Sequence, residues 1–303
     1  MKPMTKTKYL EAANQGKNGF WIYLLVIVMT VALTFVVQAV LLGVGFFFEG
    51  NLDIFSYPPT TLLWITMLPF GAILIVLFFG IRVLHRRTIW SVLSPEKRFR
   101  WRFFAAAGAL WFLLSAGGDL FLSLVQPENY QINVDFPAVL VYFFVAIGLI
   151  AIQISAEEFL FRGYLMQAFG RIWSNVLFVV ISQALLFGLL HGANTEVSEY
   201  GFLTTMPFYI GIGILLGVLT IRTNGLEAAL GVHFFNNLYA TSFVTFQGTS
   251  LPSPALFLIK EYNPQLSLVV FFVILFVFSV LFKIIKNKIN PKYTGQYSEI
   301  DEN

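Results

Sequence analysis

The chain has no cysteine. That absence excludes disulfides, thiolate metal sites and a cysteine nucleophile at once. Charge is scarce too: Asp, Glu, Lys and Arg make up 12% of the residues, about half the share of an average soluble domain. Histidine occurs only as His85, His191 and His233, and no His-Glu-x-x-His run is present, so the common zinc-peptidase signature is missing. The net charge of +3 is small and fits a membrane topology better than a nucleic-acid partner. The sequence shows no internal repeat, low-complexity block or soluble domain.

What is present is apolar. Hydrophobic residues are 57% of the chain, phenylalanine alone occurs 34 times, and the mean hydropathy is +0.76. These values describe an all-α polytopic membrane protein. A span needs about 20 mostly apolar residues. By that rule eight spans are expected, near 20–47, 61–84, 103–125, 137–157, 173–192, 202–222, 226–246 and 266–286. The apolar stretch of the fourth continues to Phe169, so its helix should run long. The first run is too long for a signal-peptide core and lacks a small-residue cleavage site after it, so it reads as a retained span.

Basic residues set the expected orientation. With these spans, all of the 19 Lys and Arg except Lys260 fall on one side, while Glu49, Asp53, Glu128, Asp135, Glu196, Glu199 and Glu261 fall on the other. The positive-inside rule then puts both termini in the cytoplasm of a cell-membrane protein. The division that follows is a cytoplasmic segment over 1–19, three helices with a basic connection over 20–136, a four-helix core over 137–246, an external loop and last helix over 247–286, and an unstructured tail over 287–303. The connection from His85 to Arg102 interleaves arginines with Trp90, Phe99 and Trp101. It reads as an interfacial segment on anionic headgroups, or as a groove for an anionic partner. Ser94-Pro95-Glu96 has the pattern of a helix start, and His85 reads as solvated.

One cluster breaks the apolar pattern. Glu157, Glu158 and Arg162 lie in or beside a run, Ile147 to Phe161, whose only other polar residues are Gln153 and Ser155. A charge at the bilayer centre costs about 3 kcal/mol even on a lenient scale, so such groups point to function. Residues four apart share a helix face and adjacent ones diverge by about 100°. Glu158 can therefore pair with Arg162, leaving Glu157 free to face a cavity. Phe187 and His191 share a face in the next span, as do His233 and Asn237 in the seventh. A carboxylate with two imidazoles and a carboxamide suits hydrolysis: a general base for water, a group to orient that water, and donors for an oxyanion. Singly, each has a plainer reading. An intramembrane His is often a packing residue, a Glu–Arg pair is often structural, and Asn often bonds across helices. Their joint occurrence on three spans favours the hydrolytic reading.

The same residues resemble a known family. Glu157-Glu158-Phe-Leu-Phe-Arg162 looks like the E-E-x-x-x-R motif of the CPBP intramembrane endopeptidases (CAAX protease and bacteriocin-processing, or Abi). Phe187-Gly-Leu-Leu-His191 is similar to that family's F-x-x-x-H, and His233-Phe-Phe-Asn236-Asn237 to its H-x-x-x-N. The resemblance covers about 150–245 and implies a glutamic intramembrane endopeptidase. Glu157 would activate water held by His191, and His233 with Asn237 would stabilise the oxyanion. Glu158 and Arg162 would support the site and Phe187 would wall it. The implied partners are the lipid bilayer and a membrane-associated peptide or protein substrate, with no nucleic acid. No cofactor is favoured, although Glu157, His191 and His233 could form a two-His, one-carboxylate zinc set. A non-catalytic scaffold or bacteriocin-immunity protein of the same fold, and a proton-coupled transporter, are the competing readings.

Depth stays open at this stage. Glu157 and His191 are equally far, about 25 Å at 1.5 Å per residue, from a turn near Ser174. Hydropathy instead puts Glu157 near the cytoplasmic end of its span and His191 near the outer end. Either span four extends well into the cytoplasm or the hydropathic boundaries are wrong. Asp119 is expected to bond a neighbouring helix, and Glu227 to complement a helix dipole without a catalytic part.

Overall fold

The computed structural model describes residues 7–133 and 135–289. Eight helices form its body: α1 (Phe20–Glu49), α2 (Pro59–Leu84), α3 (Trp101–Val125), α4 (Phe136–Ile172), α5 (Val176–Ala193), α6 (Phe202–Thr223), α7 (Glu227–Ser242) and α8 (Pro264–Ile289). Among the described residues seven of them, all but α7, are long and apolar enough to cross a membrane. The chain is thus a multi-pass, helical membrane protein. The expected span 226–246 is α7, a helix of 16 residues and the shortest of the eight. It carries Glu227, His233, Asn236 and Asn237, which lower its hydropathy, and most of it is buried inside the bundle.

Helix α7 runs beside α3 from Arg100 to Asp119. Its first residue, Glu227, pairs with Arg100 just before α3, and Tyr239 near its other end bonds Asp119 near the end of α3. Small residues permit this approach. A side chain at Gly231 would strike the Phe104 carbonyl, and one at Gly108 would come within 2.9 Å of the Gly231 carbonyl and closer still to Phe235. Backbone contact of this kind is how membrane helices gain packing energy without a hydrophobic driving force. The expected external loop also holds structure. Strands β1 (Tyr130–Ile132), β2 (Val244–Phe246) and β3 (Phe257–Ile259) form a sheet in the order β1-β3-β2. Strand β3 pairs antiparallel to β1 and parallel to β2, tying together the ends of α3 and α7.

Helix α4, by its length, bears on the depth question. It runs 37 residues without a break, about 55 Å at 1.5 Å per residue, against a hydrocarbon layer of about 30 Å. The helix itself overshoots. The turn falls at Trp173–Asn175, and the Asn175 side chain accepts from the Phe178 amide to start α5. Just after Glu158 the hydrogen bonding shifts to a π-turn over Phe159–Leu165, a feature that recurs at functional sites.

The overshooting end of α4 is sheathed by polar chain. A short helix, Lys8–Glu11, buries Tyr9, whose hydroxyl lies 2.5 Å from the Val92 carbonyl and 3.1 Å from that of Arg162. The Gln167 amide donates to the carbonyls of Tyr9 and Ser91, and its oxygen accepts from Arg87. Two readings of the basic connection change here. Arg87 and Arg100 turn inward rather than toward headgroups or an anionic ligand. Ser94 ends a short helix (Trp90–Leu93) instead of starting one. It is extended, as a residue before proline must be, and the next helix begins at Trp101. Arg100 grips Glu227 with Nε at 2.8 Å and Nη2 at 2.5 Å, and also donates to the Thr223 carbonyl. Glu227 is therefore an ion-pair partner as well as a helix-start carboxylate. The tail beyond residue 289, with Lys2, Lys6 and Lys292, lies outside the described residues.

His85 is fully buried rather than solvated. Its Nδ1 lies 2.6 Å from the Lys17 carbonyl, which only accepts, so Nδ1 donates. Its Nε2, 2.8 Å from the Tyr164 hydroxyl, then accepts. Burial lowers the pKa of His85, with the Lys17 carbonyl opposing it less strongly. An unfolded chain therefore takes up a proton below about pH 6.5 that the folded protein refuses, and stability falls as pH drops through that value. Thermal unfolding in detergent should show a lower midpoint at about pH 5.5 than at about pH 7.5. His85→Gln should flatten that difference; an equal slope in the variant refutes the assignment.

Candidate active site

Helices α4, α5 and α7 each bring one motif to a common centre. Glu158 and Arg162 are completely buried, and Glu157 and His233 nearly so, at 5% and 4% exposure. The expected pairing on α4 is present. Arg162 Nη1 donates to Glu158 Oε1 at 2.8 Å. The same oxygen lies 2.7 Å from His233 Nδ1, which gives α7 a direct bond to α4. The other ring nitrogen, Nε2, is 3.4 Å from Glu157 Oε2. One imidazole therefore stands between two adjacent carboxylates.

Phe187 on α5 forms the wall. The Arg162 guanidinium carbon sits 4.3 Å from its ring centroid, a desolvated cation–π contact of about 2 kcal/mol. The same ring lies 4.4 Å from the His191 ring and 6.0 Å from the His233 ring. His191 is at the end of α5. Its Nδ1 donates to the Phe187 carbonyl at 2.8 Å. Its ring stacks on Tyr209 of α6 at 4.4 Å and 28°. Tyr209 bonds Glu196 through its hydroxyl, and Glu196 also holds the Ser250 amide. His191 thus reaches the cluster through ring contacts, not through a bond to a carboxylate.

Four residues here escaped the motif reading: Gln153, Trp111, Asn236 and Tyr209. Gln153 Nε2 donates to Glu157 Oε1 at 2.8 Å. Asn237 Nδ2 donates to Gln153 Oε1 at 2.9 Å, Asn236 Nδ2 to Asn237 Oδ1 at 3.0 Å, and Trp111 Nε1 to Asn236 Oδ1 at 3.0 Å. The available signal for Gln153 was its place four residues before Glu157. Trp111 left none, because its partner is on another helix. Asp119 meets expectation, accepting from Tyr130 and Tyr239 at 2.9 Å and 2.8 Å.

Several buried polar atoms at this centre have no hydrogen-bond partner among the described residues: Glu157 Oε2, Glu158 Oε2, and Arg162 Nε and Nη2. The zinc arrangement requires Glu157, His191 and His233 to converge on one point. Among the described residues no set of three or more His, Asp or Glu side chains does so. Both ring nitrogens of His233 are instead directed at Glu158 and Glu157. As placed, these residues do not fit a metal ion.

Residues 136–239 match the family model described as type II CAAX prenyl endopeptidase Rce1-like. The match takes in all three motifs. Over 189 residues the chain is 33% identical to the uncharacterized protein YyaK of Bacillus subtilis (strain 168), covering 61% of this chain and 62% of that protein. The chain thus spans less than two thirds of that relative's length. No solved structure matches it.

The Glu158–Arg162 pair can be tested for its part in holding the centre. Removing one member of a buried pair strands the other and costs about 3–5 kcal/mol. Glu158→Gln should lower the thermal midpoint sharply, and Glu158→Met with Arg162→Met together should regain part of the loss. A Glu158→Gln protein as stable as wild type refutes the coupling.

Proposed function

We propose that the protein is an intramembrane endopeptidase that cleaves a peptide bond of a membrane-associated peptide or protein. The observation that carries this reading is the placement of His233 between Glu157 and Glu158, with Asn237 one turn further along α7. Glu157 Oε2, which has no hydrogen-bond partner among the described residues and lies 3.4 Å from His233 Nε2, is the oxygen that takes a proton from water. The resulting hydroxide attacks the scissile carbonyl carbon, and negative charge develops on the carbonyl oxygen. His233 Nε2–H and the second N–H of Asn237 serve as donors to that oxygen. When the C–N bond breaks, the proton held by Glu157 passes to the leaving amine. His191 orients the attacking water.

Glu158 and Arg162 act through His233. Glu158 fixes the ring through Nδ1, and Arg162 holds Glu158 in place. The mechanism runs without metal. The basic end of the bundle, where the Lys8–Glu11 segment packs, faces the cytoplasm, and the segment 137–246 carries the chemistry.

Glu157→Gln should lower cleavage by about 10²–10⁴-fold, the usual worth of a general base, while the protein still inserts and folds. Comparing membrane proteomes of wild-type and Glu157→Gln cells should reveal fragments that vanish in the variant. Purified cleavage should survive a chelator; its loss and restoration by zinc would overturn the metal-free step. Wild-type cleavage by Glu157→Gln would remove Glu157 as the base, and a cellular phenotype kept by a variant that no longer cleaves would favour a binding role, as a scaffold or immunity protein.

A further inference from the structure

Glu157 does not stand alone on its face of α4. Four hydrogen bonds run to it from Trp111 on α3, through Asn236 and Asn237 on α7 and Gln153 on α4. Amide oxygen and nitrogen can be interchanged in a structure, so the direction of such a chain has to be argued from its ends. Here both ends are fixed by chemistry. An indole N–H only donates, and an ionised carboxylate only accepts. Asn236 must therefore turn its oxygen to Trp111 and its amino group to Asn237. Asn237 then turns its oxygen to Asn236 and its amino group to Gln153, and Gln153 donates to Glu157. A single polarity satisfies every member.

We propose that Gln153 is the positioning residue of Glu157, and that Trp111 and Asn236 set its aim from the neighbouring helices. This rests on reading Glu157 as the general base. Its bond to Gln153 occupies Oε1 and leaves Oε2, the atom without a hydrogen-bond partner, facing His233 as the oxygen presented to water. The same chain uses one N–H of Asn237 and leaves one for the substrate. It also brings α3 into the site. Trp111, 1% exposed, lies outside the matched segment 136–239, so the aim of the base depends on a helix beyond the family core.

An Asn or Gln inside a bundle is commonly plain packing glue. The two roles differ in what they predict. Gln153→Met keeps length and removes the donor; Gln153→Glu keeps length and shape but offers an acceptor to a carboxylate. Packing alone makes Gln153→Glu the milder change, whereas positioning makes it the worse one. In infrared spectra the Glu157 carboxylate stretch is the band lost in Glu157→Gln, and it can be read without substrate.

Gln153→Met should shift that band and lower kcat by about 10²-fold, the scale of a misplaced catalytic group, with KM nearly unchanged. Gln153→Glu should lower kcat further. Trp111→Phe, which removes the indole N–H, should shift the band in the same direction by less, and it serves as the test if the Gln153 variants do not fold. A Glu157 band unmoved by Gln153→Met, or in its absence by Trp111→Phe, overturns the inference, as does a kcat equal to wild type. If Glu157→Gln itself cleaves normally, the reading of Glu157 as the general base fails, while the band still shows whether Gln153 holds Glu157.

Discussion

The structure is organised around a single desolvated oxygen, Glu158 Oε1, shared by Arg162 and His233. An unpaired charge at this depth costs several kcal/mol, and the Coulomb gain offsets that only when geometry is good. The chain meets the condition with two cationic or donor groups from different elements. Arg162 comes from the next turn of the same helix, and His233 comes from α7. The fold must therefore keep α7 in register against α4. The glycine contacts between α7 and α3, the Arg100–Glu227 clamp at one end, and the sheet at the other all hold that register. The Arg100–Glu227 clamp repeats the solution at the basic end of the bundle, where the bidentate fork supplies the geometry.

The length of α4 follows from the same requirement. A helix carrying Glu157, Glu158 and Arg162 gains by having its polar turn surrounded by protein rather than lipid. Continuing to Ile172 lets the N-terminal segment and the Trp90–Leu93 helix wrap it. Tyr9 reaches the Arg162 carbonyl within the π-turn, where α-helical bonding is interrupted and backbone groups need other partners. The buried polar network of His85, Arg87, Ser91, Gln167 and Tyr164 is thus the outer sheath of the site, and not a headgroup-binding surface.

Legibility from sequence divides by the range of the interaction. Local periodicity carries the Glu158–Arg162 pair, the shared face of Phe187 and His191, and that of His233 and Asn237, because four residues make one turn. The fate of His85, Arg87 and Arg100 depended on partners 68 to 127 positions away, such as Lys17, Gln167 and Glu227. No window of hydropathy encodes that. Ser94-Pro95 was misread for a nearby reason. A cap followed by proline suits a helix start, but the same proline forces extended backbone on the residue before it. The chain here uses the second property to end a helix. Gln153 stood in plain view with the right spacing, yet its meaning required Asn237 to be beside it.

The shortness of α7 shows where hydropathy and function pull apart. Span prediction counts a segment by its affinity for lipid, and α7 has little of it: Glu227, His233, Asn236 and Asn237 all lie within 16 residues. A helix so composed is stable in a membrane only if other helices enclose it, which α3, α4 and α6 do. Once enclosed, it need not span the full hydrocarbon thickness, because protein, and not lipid, meets its ends. At those ends are Arg100 on one side and β2 of the small sheet on the other. The residues that make α7 a poor span make it a good carrier for His233 and Asn237. A polar helix inside an apolar cage lets a carboxylate, an imidazole and a carboxamide meet in one membrane-embedded body.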